Sequence, residues 1–296
     1  MLPHQPVMVA DVVAHLAPER GGHFVDCTVG AGGHSRALLE AGATRLIGLD
    51  RDREALAVAE ESLKAWASHV ELVHADFRNL GDVLRVRHIE AVDGIVADLG
   101  ISSMQVDAEG RGFSFRRDEP LDMRMDRASG PDARALLATS GERELADVIY
   151  RYGEERYSRR IARAIVAARA REPIETTGQL AAIVRRAIPG GWRRIDPATR
   201  TFQAVRIWVN RELEGLDQFL REAVSWLRPH GRLVVIAFHS LEDRIVKQTL
   251  RRLATEAPRQ VVLLTKRPLV PGDEEVGRNP RARSAKLRAA ERLTHE

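Results

Sequence analysis

The sequence predicts an α/β fold: a parallel sheet of Rossmann type with helices on both faces, interrupted by an all-α insertion. Three observations carry this. Residues 23–100 alternate short apolar runs with helical patterns, the rhythm of a doubly wound sheet. The alternation stops after Gly100, and the patterns that follow are helical only. Strand and helix then alternate again up to the basic C-terminal segment.

In order, HFVDCTVG (23–30) is an apolar run ending on glycine, and GHSRALLEAG (33–42) has helical spacing with a stop at Gly42. RLIGLD (45–50), VELVHAD (70–76) and VDGIVADLG (92–100) read as the next strands, with a helix over REALAVAEESLKAWA (53–67). Residues 102–130 hold glycines, aspartates and arginines without periodicity, and such a stretch in a compact chain is functional or disordered. DARALLATS, ERELADVIYRYG, RYSRRIARAIVAARA and TGQLAAIVRRAI are helical. One long amphipathic helix is expected over 203–228, then a strand at GRLVVIAFHS (231–240) and a helix at SLEDRIVKQTLRRLA. QVVLLTK is a further strand, and AKLRAAERL a last strand or a tail. These boundaries predict a discontinuous α/β domain, 1–109 with 210–296, and a helical domain, 110–209.

Composition narrows the class. The 296 residues are 44% hydrophobic and 30% charged, a globular balance, with a formal net charge of +4. The N-terminal segment carries Asp11 and lacks an uncharged apolar core, so it is a poor signal peptide. No apolar run approaches the ~20 residues of a membrane span, and a cytoplasmic protein without membrane partners is expected. Cys27 stands alone, which excludes an intramolecular disulfide and a Cys-rich zinc site; no metal is expected.

The chemistry-bearing residues cluster at strand ends. Asp26-Cys-Thr-Val-Gly30-Ala-Gly32-Gly33 lies where the first strand turns into the first helix, so glycines admit a ligand to the backbone and free helix N–H groups meet a negative group. Asp50 ends the second strand twenty residues after Gly30, where a carboxylate accepts both ribose hydroxyls. A dinucleotide fingerprint needs a third glycine at position 35, which is serine. The compressed G-x-G-G form resembles the turn of methyltransferases, which holds an amino-acid carboxylate. Phe77 follows the third strand, where such folds contact adenine; the competing reading is a core aromatic.

Asp98 closes the fourth strand, on the edge of the sheet where open α/β folds bind ligands. This makes it the candidate catalytic residue, the alternative being a loop or helix cap. Arg185, Arg186, Arg193, Arg194, Arg200, Arg206 and Arg211 interleave with Trp192, Phe202 and Trp208 against one acid, Asp196. Arginine with aromatics suits phosphate contact and base stacking, although core packing is the better reading of Phe202 and Trp208. A second basic stretch closes the chain, RNPRARSAKLRAAER. His239, Ser240 and Asp243 invite a hydrolase reading, but no G-x-S-x-G elbow surrounds the serine.

The chain resembles the bacterial methyltransferases that modify the exocyclic N4 amine of a cytosine in 16S ribosomal RNA. The similarity runs nearly end to end, through HQPVM, GAGGHSRALL, LDRD, DGIVADLGISS, RGFSF, PLDMRMD, YGEERYSRRIARAI, PATRTFQAVRIWVNRELE, GRLVVIAFHSLEDRIVK and NPRARSAKLR. The resemblance implies a Rossmann-like class I methyltransferase sheet with an inserted all-α domain that engages RNA, and S-adenosyl-L-methionine as cofactor. It implies cofactor contacts at Gly32, Gly33, His34, Asp50, Phe77, Asp98 and Gln105. The implied partner is 16S rRNA within the small ribosomal subunit or a late precursor, with no DNA. Met104 stands where the family often has proline, and Ala108-Glu-Gly110 replaces a more acidic run.

A cytosine amine is a poor nucleophile because its lone pair is delocalised into the ring, so an acceptor such as Asp98 is expected to hydrogen-bond it. Methylation at carbon 5 needs a thiolate, and Cys27 lies in the cofactor turn as a small apolar residue. Two rivals remain open: a non-catalytic RNA-binding module with a vestigial cofactor fold, and a nicotinamide-dependent oxidoreductase suggested by the βαβ turn and Asp50.

Overall fold

The computed structural model describes residues 6–190 and 196–294. His4 and Gln5 of the HQPVM string and Trp192, Arg193 and Arg194 of the basic stretch lie outside the described residues. The chain forms two compact units, Met1–Gly100 with Leu213–Glu296, and Ile101–Glu212. The second unit thus begins earlier and ends later than the span 110–209 read from the sequence.

The first unit is built on a sheet of β1 (His23–Asp26), β2 (Arg45–Asp50), β3 (Val70–His74), β4 (Val92–Asp98), β5 (Leu227–Ala237), β6 (Val261–Leu263) and β7 (Lys286–Arg292). The strands lie in the order β3-β2-β1-β4-β5-β7-β6. The pairings from β3 to β5 are parallel, whereas β7 runs antiparallel between β5 and β6. A dinucleotide-binding sheet has its strands in the order 3-2-1-4-5-6. The antiparallel β7 wedged before β6 is a different arrangement and removes the topological support for the nicotinamide rival.

Parallel strands covered on both faces read as continuous apolar runs, and alternate residues go to opposite sides. Val25, Ile47, Ile95 and Val235 enter one core with Phe219 and Leu220. Their neighbours Phe24, Leu46, Val96 and Val234 enter the other, with Val12 and Leu38. The order of strands reverses between β1 and β4, so Asp26 and Asp98 close the two strands that flank the switch point.

One expectation needs correction. The single helix over 203–228 is two, Ala198–Asn210 and Leu216–Trp226. Arg211 (φ 49°) and Gly215 (φ 70°) are left-handed, which ends the first helix and admits the second, while apolar periodicity on both sides hides the break. Of the two readings of AKLRAAERL, the strand holds: Lys286–Arg292 are β7, with Leu287, Ala289 and Ala290 buried. The sequence reading also passed over the short helices Val9–Leu16 and Leu80–Val86.

In the second unit, helices Glu142–Gly153, Ser158–Arg169, Thr177–Ala187 and Ala198–Asn210 surround Ile149, Ile161, Leu180 and Phe202. Gly153 lets two of them touch, since a Cβ there would stand 2.5 Å from the Arg200 carbonyl oxygen. The irregular stretch before them is tied down. The Asn210 side chain is buried, donating to the Met123 carbonyl at 2.7 Å and accepting the Met125 N–H at 2.8 Å.

Candidate active site

The turn after β1 is held by hydrogen bonds rather than by apolar packing alone. The Gly30 N–H donates to Asp50 Oδ2 and the Asp52 N–H to Asp50 Oδ1, both at 2.9 Å. These bonds orient the carboxylate, and each oxygen keeps acceptor capacity for another donor. Burial pushes the Asp50 carboxyl up to about 6 against the pull of the two N–H groups.

The three glycines do different things. Gly32 (φ +84°) is required by its own chain, because a Cβ there would lie 2.6 Å from Ser62 Oγ and 3.1 Å from Leu63 Cγ. A Cβ on Gly33 would come within 2.7 Å of Pro6. Gly30 (φ +51°) meets nothing nearer than the Thr28 carbonyl at 3.8 Å, so its outer side is open. The expectation that glycines admit a ligand therefore fits Gly30 on grounds of space.

Across the switch point, Thr28 joins the ends of β1 and β4. Its hydroxyl accepts the Asp98 N–H at 2.6 Å, and its own N–H donates to Asp26 Oδ1 at 3.1 Å. Ser35 Oγ donates to Asp26 Oδ2 at 2.8 Å, which anchors the helix Gly33–Glu40 to β1. His34 is 5% exposed; its Nε2 donates to the Val7 carbonyl at 2.9 Å, and Nδ1 lies 3.8 Å from Asp98 Oδ2.

Asp98 caps no helix. Its side chain is 21% exposed, yet Oδ1 is shut off from solvent and has no hydrogen-bond partner among the described residues. Burial raises the carboxyl to about 7; His34 opposes this, while Asp26 and Glu242 reinforce it. A buried carboxyl without a donor costs free energy, and such positions concentrate at functional sites.

Phe77 opens a short turn, Phe77–Asn79, capped by Asp76, and its half-buried ring packs against Phe219 at 4.8 Å between centroids. Asp76 is held by Arg78 at 2.7 Å and Arg51 at 3.4 Å; burial raises its carboxyl, but the Arg78 hydrogen bonds and the two cations outweigh this and leave it below the usual range. Cys27 is buried, and burial pushes its thiol well above the ordinary range, which disfavours a thiolate nucleophile in this turn.

Comparison with known proteins decides the family. The model of the MraW methylase family matches residues 1–293. The chain belongs to the MraW methylase family. Ribosomal RNA small subunit methyltransferase H of Bradyrhizobium diazoefficiens is 53% identical, covering 99% of this chain and 92% of that protein. The protein of the same name in Geotalea uraniireducens is 48% identical over 98% of each. Among solved structures, a SAM-dependent O-methyltransferase of Thermotoga maritima aligns over 100% of this chain and 69% of its own at 11% identity, with a TM-score of 0.45.

The methylase depends on S-adenosylmethionine, and its residues fit that group. Asp50 offers two fixed oxygens to a ribose diol, the open side of Gly30 adjoins the N-terminus of a helix, and Asp98 Oδ1 is an acceptor with no donor. Of the other expected contacts, His34 is brought beside Asp98. Gln105 belongs to the second unit, buried, in a capping box: its N–H donates to Ser102 Oγ at 3.2 Å and its Oε1 accepts the Ser102 N–H at 3.1 Å.

The basic stretch of the methylase is less basic in space than in sequence. Arg185 pairs with Asp196 at 2.8 Å and lies over the Phe115 ring, and Arg206 forms a two-bond pair with the buried Glu212. Phe202 is buried edge-to-face against Phe115, and Trp208 packs on the same core. His239 caps the helix Ser240–Thr255 through a capping box with Glu242, a structural use that disfavours the hydrolase reading. The sequence reading placed Asp26 and Thr28 in the turn but gave neither a role of its own; their signal was their place at the end of an apolar run facing the switch point.

Proposed function

We propose that the methylase transfers a methyl group to the exocyclic N4 amine of a cytosine in the decoding region of 16S rRNA, within the small ribosomal subunit or a late precursor. The curated relatives named above as small-subunit ribosomal RNA methyltransferases support the substrate. Asp98 carries the chemistry, because it is a partly exposed carboxyl at the switch point whose Oδ1 has no donor. No helix among the described residues is long and apolar enough to cross a membrane, and the enzyme is taken to act in the cytoplasm.

When bound, S-adenosylmethionine supplies an electrophilic methyl group on a sulfonium. In this reading Asp50 accepts the ribose hydroxyls, the turn Gly30–Gly33 with His34 lies along the amino-acid portion, Phe77 borders the adenine, and Gln105 is a further cofactor contact. Direct displacement depends on alignment and exclusion of water more than on strong acid–base chemistry. Asp98 accepts a hydrogen bond from the cytosine amine, which returns its lone pair to nitrogen, and takes up the proton released as the new N–C bond forms. The helical unit, with its exposed arginines, recognises the RNA around a cytosine turned out of its stack, at a cost of roughly a few kcal/mol.

The test is transfer of tritiated methyl groups to naked 16S rRNA, assembly intermediates and mature small subunits, followed by nucleoside mapping. N4-methylcytidine from the decoding region is expected. Label in another nucleoside, or none in any substrate, refutes the proposal.

A further inference from the structure

The sheet-bearing unit holds a cavity of about 440 Å³ that the methyl-transfer site does not use. It lies between the second half of the helix Ser240–Thr255, the strand β7 and the segment that follows β6. Its lining includes Lys247 and Arg251 from the helix, Lys266 and Arg267 from the segment, and Arg288 from β7, with no carboxylate.

The convergence of these cations on one cavity sets them apart. Several arginines elsewhere in this unit are matched: Arg78 with Asp76, Arg87 with Glu71, Arg228 with Asp93, Arg232 with Glu291. Arg288 is likewise pinned to Asp243 at 2.7 Å, an ion pair that fixes the floor of the cavity. Lys247, Arg251, Lys266 and Arg267, by contrast, have exposed side chains with no ion pair among the described residues. Four unmatched cations from two separate elements converge on one concavity. Like charges gathered without counter-charges repel, and an anion with several oxygens relieves that repulsion.

Position favours a long anion over a small one. Strands β5 and β6 are both antiparallel to β7, so they run the same way. The segment Thr265–Pro268 therefore runs toward the carboxyl edge that carries Asp26, Asp50 and Asp98: it follows Leu263, level with Leu233 in mid-sheet, and reaches Leu269, which bridges Leu287 at the level of Asp98. A strand whose base is delivered to Asp98 has its backbone along this same edge.

We propose that this cavity binds phosphate groups of the RNA strand, giving the methyltransferase unit an RNA contact of its own. The proposal rests on the reading of the substrate as RNA. Each cation that meets a phosphate of a single strand releases a counterion and adds about 0.7 to the slope of log affinity against log salt.

The experiment measures binding of a fluorescein-labelled decoding-region RNA by anisotropy across a salt series, with full-length protein and with S-adenosylmethionine binding as the folding check. Two double variants probe opposite walls, Lys247→Gln with Arg251→Gln and Lys266→Gln with Arg267→Gln. A third, Arg20→Gln with Arg45→Gln, removes two exposed cations at the amino edge. Each cavity variant is expected to lower the slope by about 1.4, with S-adenosylmethionine affinity unchanged and the amino-edge variant like wild type. Equal slopes in all variants, or an equal drop in the amino-edge variant, overturn the proposal while leaving methyl transfer to RNA standing. A wild-type chain that binds no RNA overturns both readings. Inorganic phosphate is the second probe: saturable binding that the cavity variants abolish while RNA binding stays intact assigns the cavity to a free anion and overturns the RNA contact.

Discussion

His34 and Asp98 face each other at the end of β4, with Nδ1 of the ring 3.8 Å from Oδ2 of the carboxyl. The far nitrogen of the same ring donates to the Val7 carbonyl, so that nitrogen carries the proton and His34 is a strut between the N-terminal segment and the switch point. At that distance the ring lies beside the Asp98 carboxyl without hydrogen-bonding it, and Oδ1 is left unsatisfied.

Replacing Asp98 by asparagine keeps the shape and removes the proton acceptor. Single-turnover methyl transfer at saturating S-adenosylmethionine is expected to fall by about 10²–10⁴. In the wild type the carboxylate is the active form. With its ionisation raised to about 7, the rate should climb with pH below that value and level off above it. A flat profile between pH 5.5 and 8 in both proteins removes Asp98 from the chemistry.

The same residue should act on stability with a definite sign. Its folded-state ionisation lies near 7, above the ordinary carboxylate value of 3.8, so the folded chain binds the proton more tightly. The penalty of burying the charge is absent below pH 3.8 and fully present above 7, where it reaches at most about 4 kcal/mol. Asp98→Asn should therefore unfold at higher denaturant than wild type at pH 8, with a smaller gain at pH 5. Urea midpoints at the two pH values check this.

Asp50→Ala deletes the acceptor of two backbone N–H groups as well as the proposed ribose ligand. Cofactor affinity, read by calorimetry, should drop at least about tenfold. Stability should drop by about 1–3 kcal/mol from the stranded Gly30 and Asp52 donors. Unchanged affinity would place the donor elsewhere.

Alanine at Gly32 and at Gly30 should separate packing from binding. At Gly32 the new Cβ runs into Ser62 and Leu63 on a left-handed backbone, so a loss of about 2–3 kcal/mol is expected in urea. At Gly30 only backbone strain of about 1 kcal/mol applies, and the added methyl should weaken S-adenosylmethionine binding instead. A larger stability loss at Gly30 contradicts the geometry.

Most of the sheet was legible because strands buried on both faces leave apolar runs ending in Asp26, Asp50 and Asp98. The helices of the second unit were legible from their amphipathic spacing. The break between Asn210 and Leu216 was not, since a left-handed Arg211 leaves no compositional mark. Nor was the pairing of β7, because the buried face of AKLRAAERL rests on alanines inside a run of arginines. The site was legible as far as the glycine turn and the acids. The links through Thr28 and His34 depend on three-dimensional contacts with Asp98 and Val7, which sequence spacing does not encode, and His34 entered only through resemblance.

The most direct test is a crystal structure of the full chain with S-adenosylmethionine and cytidine. The donor is expected in the crevice between Gly30 and Asp50, its ribose hydroxyls on the Asp50 carboxylate and the cytidine amine within hydrogen-bond distance of Asp98. A donor seated elsewhere, or a cytidine whose amine points away from Asp98, contradicts the central claim.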